Sequence, residues 1–172
     1  MHEFTELVDR CITLTIEALN EINEKTLEAL ETSANTGLVK TVQMIQLQKV
    51  ILSVGIFSIF EAWLQEELNC KDGFKTAKEI LKNKDEQLYK RFNQFHLAIN
   101  VLKHGRGCSY DKLVLIANEL SFTLKMPASF LNEGDVSEVS PHLIQVDDEF
   151  VLNCANIVRQ ISTIMTNTKH EK

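Results

Sequence analysis

An all-α fold, a helical bundle of about five or six helices, is what this 172-residue sequence predicts. Six glycines and two prolines are too few for the tight turns of an all-β protein, and apolar residues recur at three- and four-residue spacing along most of the chain. Hydrophobic residues at 44% and charged residues at 24% are ordinary globular composition, which excludes a disordered or collagen-like chain. One domain over residues 1–172 is expected, able to bury roughly 70% of the surface of its unfolded form.

The first helix runs from about Glu3 to Ala34, with Phe4, Val8, Cys11, Ile12, Leu19, Ile22 and Leu30 on its apolar side and acids opposite. Asn35-Thr36-Gly37 supplies its stop, with Gly37 expected in the left-handed conformation beyond the helix end. The second helix, about Val39 to Asn69, is apolar on nearly every side through Ile51, Leu52, Val54, Ile56, Phe57, Ile59, Phe60, Trp63 and Leu64. It is therefore central, either inside the bundle or dividing its apolar surface between the bundle and a partner subunit. Its longest apolar run, Val50 to Phe60, is too short to span a bilayer, so no membrane partner is expected.

A short helix from about Phe74 to Asn83 leads to a longer one from about Asp85 to His104, whose core stripe is Leu88, Phe92, Phe95, Ile99 and Leu102. The same helical wheel places His96, Asn93, Asn100, Lys103 and His104 on a polar shelf beside that stripe. After the loop Gly105-Arg106-Gly107, Ser109 is expected to cap a helix from about Tyr110 to Leu124 that buries Leu113, Ile116 and Leu120. Residues 127–146 hold both prolines and Gly134 and are read as a long loop, with a short extended piece at His142 to Val146. Asp147 or Asp148 then caps a last helix carrying Phe150, Cys154, Ile157, Ile161 and Ile164 at core spacing.

The formal charge of −6 makes the whole chain a poor non-specific ligand for nucleic acid. Its distribution is uneven. Between Lys71 and Lys112 ten cations and five carboxylates give +5, which leaves eight cations and nineteen carboxylates, or −11, on the flanks. A basic middle third admits an anionic ligand, and it is equally read as a set of solvated helix faces. Cys11, Cys70, Cys108 and Cys154 lie far apart with neither a Cys-x-x-Cys pair nor closely spaced histidines, so reduced thiols in a cytoplasmic protein without a metal are expected. The acidic start at Met1-His2-Glu3-Phe4 lacks the charge pattern of a signal peptide, so none is expected there.

Phosphate loop, zinc-protease, dinucleotide and nucleophile-elbow motifs are absent from the sequence, as is the pair of Glu-x-x-His units of a di-iron bundle. What remains is the segment Ala98 to Gly107. A histidine at a helix C-terminus, His104, with Lys103 and Arg106 beside it, has the parts for acid/base work on a phosphodiester. Asn100, one turn before, could orient the ring. The plainer reading is that His104 ends its helix through the dipole, Lys103 is solvated and the glycines only turn the chain.

The segment resembles the signature of the HEPN superfamily of small all-helical proteins, many of them metal-independent ribonucleases of toxin–antitoxin and antiphage systems. That signature is an Arg, a polar residue that is often Asn, three further residues, and a His at the end of a helix followed by a turn. Asn100 and His104 fill the Asn and His places, the Gly105 turn follows, and Ile99 stands in the Arg place. Ser58 to Leu64 is similar to the family's helix with an acid in an apolar run, and Val139 to Ile144 before an acidic cap is similar in layout. The resemblance implies RNA cleavage in prokaryotic defence without metal or cofactor, by attack of the ribose 2′-hydroxyl to leave a cyclic phosphate. In that scheme His104 is the general acid/base, and Arg106, Lys103 and Asn100 position phosphate. The resemblance also implies a homodimer whose two motifs share a positive groove, with RNA and an antitoxin or defence-system protein as partners. Ile99 in the Arg place favours a second function, a catalytically silent adaptor whose groove binds a partner protein or a nucleotide.

Arg91 and His96 offer a rival placement of the motif, with Phe92 at the polar place and no turn after His96. On one helix they stand about 140° apart, so they would converge only through a distortion or across a dimer. Both are retained as substrate-binding candidates. Glu61, an acid in an apolar helix, is expected to be paired or at the surface, or else to face His104 or Arg106 across the bundle.

Overall fold

The computed structural model of the chain describes residues 4–33, 35–126 and 143–170. Among these residues six α-helices, α1 (Phe4–Thr32), α2 (Thr36–Leu68), α3 (Gly73–Lys84), α4 (Glu86–His104), α5 (Cys108–Leu115) and α6 (Asp148–His170), form the bundle that the periodicity predicts. α2 packs on α1, α3, α4 and α6, and α4 packs on α3, α5 and α6. The predicted loop over residues 127–142 lies outside the described residues.

α1 buries Ile12, Ile16, Leu19 and Thr26. Cys11 and Ile22, expected in the core, are exposed, because each lies roughly 80–100° around the helix from Ile12. Gly37 does not end α1. It lies in the first turn of α2, where the Asn35 side chain caps the new helix by accepting the Gly37 N–H at 2.7 Å. The left-handed residue is instead Asn69, at φ 47° and ψ 53°, which closes α2 while Cys70 N–H reaches back to Gln65 O at 3.0 Å.

α2 is much longer than its apolar centre. At 33 residues, with a mean hydropathy of 1.5 in its most apolar window, it is long and apolar enough to cross a membrane by length and composition. Its inward face carries Ile45, Ile56, Phe57, Phe60 and Leu64, together with buried Lys49 and Ser53. Lys49 Nζ lies 2.6 Å from Asp148 Oδ1, and Asn20 Nδ2 donates to Asp148 Oδ2 at 2.8 Å, so one acid ties α1, α2 and α6 together.

Two aspartates organise the next pair of helices. Asp72 accepts Lys75 N–H at 2.8 Å as the N-cap of α3, and Asp85 accepts Leu88 N–H at 2.9 Å as the N-cap of α4. Gly73, the first residue of α3, is buried so tightly that an added Cβ would lie 2.8 Å from the Glu61 carbonyl oxygen and 2.8 Å from Leu64 Cβ. Only a residue without a side chain lets α3 start there. α4 ends at Gly105, whose φ of 73° suits glycine alone.

The core centres on Phe57, Phe60, Phe74 and Phe92, whose ring centroids are 5.3 to 6.3 Å apart. Burying each stabilises the fold by roughly 1.5–3 kcal/mol. Leu88, Phe92, Phe95 and Ile99 of the predicted stripe are buried, with Val101 buried and Leu102 only partly so. In α6, Phe150, Cys154, Ile157 and Ile161 are buried as expected, while Met165 rather than Ile164 completes the row. Asp147 is the cap, accepting Phe150 N–H at 2.9 Å.

α5 departs most from expectation. It starts at Cys108 after Gly107 with no side-chain cap, so Ser109 lies inside it, and it stops at Leu115 rather than Leu124. A 3-10 turn follows at Ala117–Glu119, after which the chain bends at Ser121 and Phe122 and reaches an isolated bridge between Leu124 and Ile144. Lys125 N–H donates to Leu143 O at 2.8 Å and Gln145 N–H to Thr123 O at 3.0 Å. These distant partners for the backbone compete with a continued helix, and they account for the extended piece at residues 143–146.

Candidate functional site

The close seat of Gly73 on α2 lays α3 beside α4. Between them opens a cleft of about 620 Å³, with Lys75, Lys78, Glu79 and Lys82 on one wall, Tyr89 and His96 on the other, and Glu61 of α2, Asp72 and Phe74 completing it. Lys75, Lys78 and Lys82 follow one another at spacings of three and four, so one face of α3 turns all three toward the cleft.

Lys78 sits at the centre. Its Nζ donates to Asn93 Oδ1 at 2.9 Å, lies 2.7 Å from His96 Nδ1 and stands 5.6 Å over the Phe92 ring. Burial pushes its amine down to about 8; Asp72 opposes this shift and Lys112 adds to it. The His96 ring meets Phe74 edge-on at 4.9 Å and stacks on Phe92 at 6.3 Å. Burial and then the Lys78 charge push the imidazole down to about 4, against the pull of Asp72, so it is neutral at pH 7. With Nδ1 accepting from the lysine, the ring proton belongs on Nε2, which lies 3.3 Å from the Asn100 amide. In the structure it is Asn100 Nδ2 that faces Nε2, so this assignment requires the amide to be turned by 180° to present its oxygen there.

The polar shelf expected on α4 is therefore present in its inner part: Asn93, His96 and Asn100 form one network with Lys78. Asn100 bonds to His96 and not to His104. His104 is exposed at the end of α4, and its ring makes no hydrogen bond or ion pair with another described residue. Lys103 and Arg106 are exposed beside it. Arg91 does not join His96; its Nη2 reaches Asn153 Oδ1 of α6 at 3.4 Å, on another side of α4. Ile99, in the Arg place of the HEPN signature, is 3% exposed and belongs to the core.

Glu61 lines the cleft near the α3 lysines. Lys78 is the functional candidate that the sequence reading missed, since it counted there only as one charge of the basic third. The three-and-four spacing of Lys75, Lys78 and Lys82 was the available signal, but which wall it faces depends on how α3 docks. Among the described residues no group of three His, Cys, Asp or Glu is placed to hold a metal. No protein-family model matches the chain, and comparisons with curated proteins and with solved structures find no match.

Proposed function

We propose that the chain is a HEPN-like adaptor whose α3–α4 cleft binds a nucleotide by its phosphates without cutting it. The observation that carries this reading is the set of three α3 lysines turned into one cleft with a neutral His96. Lys75 and Lys82 supply charge for phosphate, Phe74 and Tyr89 supply aromatic surface for a base, and Glu61 and Glu79 can accept ribose hydroxyls. Asp72 is already engaged as a cap, which limits its competition for the lysines. Titrating the full chain with a fluorescent ATP analogue in EDTA tests the reading. Saturable binding, weakened at least roughly tenfold in Lys75→Ala/Lys82→Ala, supports it. No binding at millimolar nucleotide, or equal binding by the variant, overturns it.

A second reading, metal-independent RNA cleavage, is favoured by one observation: His104 stands exposed beside Lys103 and Arg106, with no bond from its ring to another described residue. RNA cutting in EDTA that is lost in His104→Ala would establish this reading and overturn the silent one. A homodimer belongs to the same proposal. It is supported by the outward side of α2, where Met44, Ile51 and Ile59 are 58%, 60% and 61% exposed. A monomer by light scattering at micromolar concentration would overturn the dimer.

A further inference from the structure

We infer that Lys78 is a nucleophilic amine, placed to capture a carbonyl compound that carries a phosphate group within the α3–α4 cleft. The phosphate part rests on the reading of Lys75 and Lys82 given above; the amine part rests on geometry around Nζ.

Both groups bonded to Nζ are acceptors, Asn93 Oδ1 at 2.9 Å and, in the tautomer assigned above, His96 Nδ1 at 2.7 Å. An ammonium uses two of its three N–H bonds on them. A neutral amine has two N–H bonds, which keep the same two partners, and its lone pair takes the remaining tetrahedral direction. Deprotonation thus removes no hydrogen bond and leaves the lone pair free. No carboxylate among the described residues is within ion-pair distance of Nζ, in contrast to Lys49 with Asp148 and Lys90 with Glu86. Of the remaining surroundings, the Phe92 face and the charge of Asp72 favour the cation and the charge of Lys112 acts against it, and burial outweighs the first two. Burial supports the same conclusion by holding the amine at about 8, where roughly a tenth is neutral at pH 7.

The step balances without a further reagent. The Lys78 ammonium gives one proton to solvent, its nitrogen lone pair attacks the carbonyl carbon, and the nitrogen gives up one N–H proton as the carbonyl oxygen takes one up, giving a neutral carbinolamine that still holds one N–H. Loss of that oxygen as water leaves an imine between Nζ and the ligand carbon. Nothing is oxidised or reduced.

The test uses pyridoxal 5′-phosphate as the probe on the full chain at pH 7, with borohydride trapping of the imine and peptide mapping by mass spectrometry. At substoichiometric probe, Lys78 is expected to carry the adduct at least roughly tenfold ahead of any other lysine, and to lose that lead in urea. The comparison is made within one wild-type chain, so it needs no variant to fold. Label spread evenly over exposed lysines, or absent from Lys78, overturns the inference. Propanal, which has no phosphate, separates the two parts. Preferred reaction at Lys78 with propanal, in a chain that binds no ATP analogue, upholds the amine and overturns the nucleotide reading; ATP binding with an inert Lys78 does the reverse. In Lys75→Ala/Lys82→Ala, the lead with pyridoxal 5′-phosphate should fall to that seen with propanal; an unchanged lead overturns the phosphate part.

Discussion

Replacing Gly73 by alanine tests the link between the packing of α3 and the cleft. The new Cβ would lie 2.8 Å from Glu61 O, 2.8 Å from Leu64 Cβ and 3.1 Å from Gln65 N. Carbon atoms pack at about 3.5–4 Å, so α3 must retreat by something near 1 Å, and two of the obstructing atoms are helix backbone that cannot rotate away. Overpacking of this kind costs about 1–3 kcal/mol, and the lower entropy of an unfolded chain with alanine returns about 0.4–1 kcal/mol. A net loss of about 1–2 kcal/mol follows, or roughly 2–8 °C in Tm for a chain of this size. The same retreat stretches the 2.7 and 2.9 Å contacts of Lys78 to α4. Urea unfolding followed by circular dichroism measures the first effect, and pyridoxal phosphate labelling of Lys78 measures the second. Gly55→Ala is the control, because nothing lies within 4 Å of its added Cβ and alanine in a helix interior gains about 0.5–1 kcal/mol. A Gly73→Ala chain as stable as wild type would refute the close seat of α3 on α2.

Lys49→Met should cost about 2–3 kcal/mol, below the usual range for breaking a buried pair because Asp148 is 34% exposed; urea melts within 0.5 kcal/mol of wild type would refute this. Burial raises the Asp148 carboxyl, but bonds from Lys49 and Asn20 outweigh it and hold it below 3.8, so its share of stability is present above that value and is lost on acidification through the lower folded value. That acid loss should shrink in Lys49→Met, as Tm measured from pH 5 to 2 will show. His96 is pushed down to about 4 from 6.5, so the unfolded chain takes up this proton first and stability falls as pH drops from about 6.5 to 4. His96→Gln should flatten that window, and an unaltered slope in Tm against pH would count against a buried neutral ring. Asp85→Ala removes the acceptor for Leu88 N–H and should cost about 1 kcal/mol by urea unfolding, with no loss expected if the cap were idle.

Four of the helices were legible at their starts, where Asn35, Asp72, Asp85 and Asp147 cap α2, α3, α4 and α6, and the 3.6-residue stripe marks α1, α4 and α6. Failures fall where a distant segment decides. Leu120 to Leu124 looks helical by spacing, yet the backbone of Thr123 and Lys125 pairs with Gln145 and Leu143, about twenty residues further on, and no local pattern announces that bridge. Gly37 shows a subtler case. A glycine between two helices fits the end of one as well as the start of the next, and it was Asn35, a better N-cap than C-cap, that settled the choice. For the site, the α4 wheel gathered Asn93, His96 and Asn100 correctly since they share one helix. Lys78 was invisible to that wheel because its position opposite His96 follows from the seat of Gly73 on α2.

Two histidines flank Asn100 at the same four-residue distance, and helical spacing gives each an equal claim on its amide. Burial breaks the tie. His96 lies between the rings of Phe74 and Phe92, where an unbonded ring nitrogen would cost about 1–3 kcal/mol, so Nδ1 takes Lys78 and Nε2 takes Asn100. His104 is exposed and is served by water. The consequence runs from sequence to chemistry: the shelf that reads as one polar stripe divides into a half-buried, hydrogen-bonded inner network and an exposed outer end. Catalysis or tight binding draws on groups fixed before the ligand arrives, and on α4 those groups are Asn93, His96 and Asn100. His104, Lys103 and Arg106 lend charge at the corner, but the ordered polar atoms lie one turn and more back along the helix, facing Lys78.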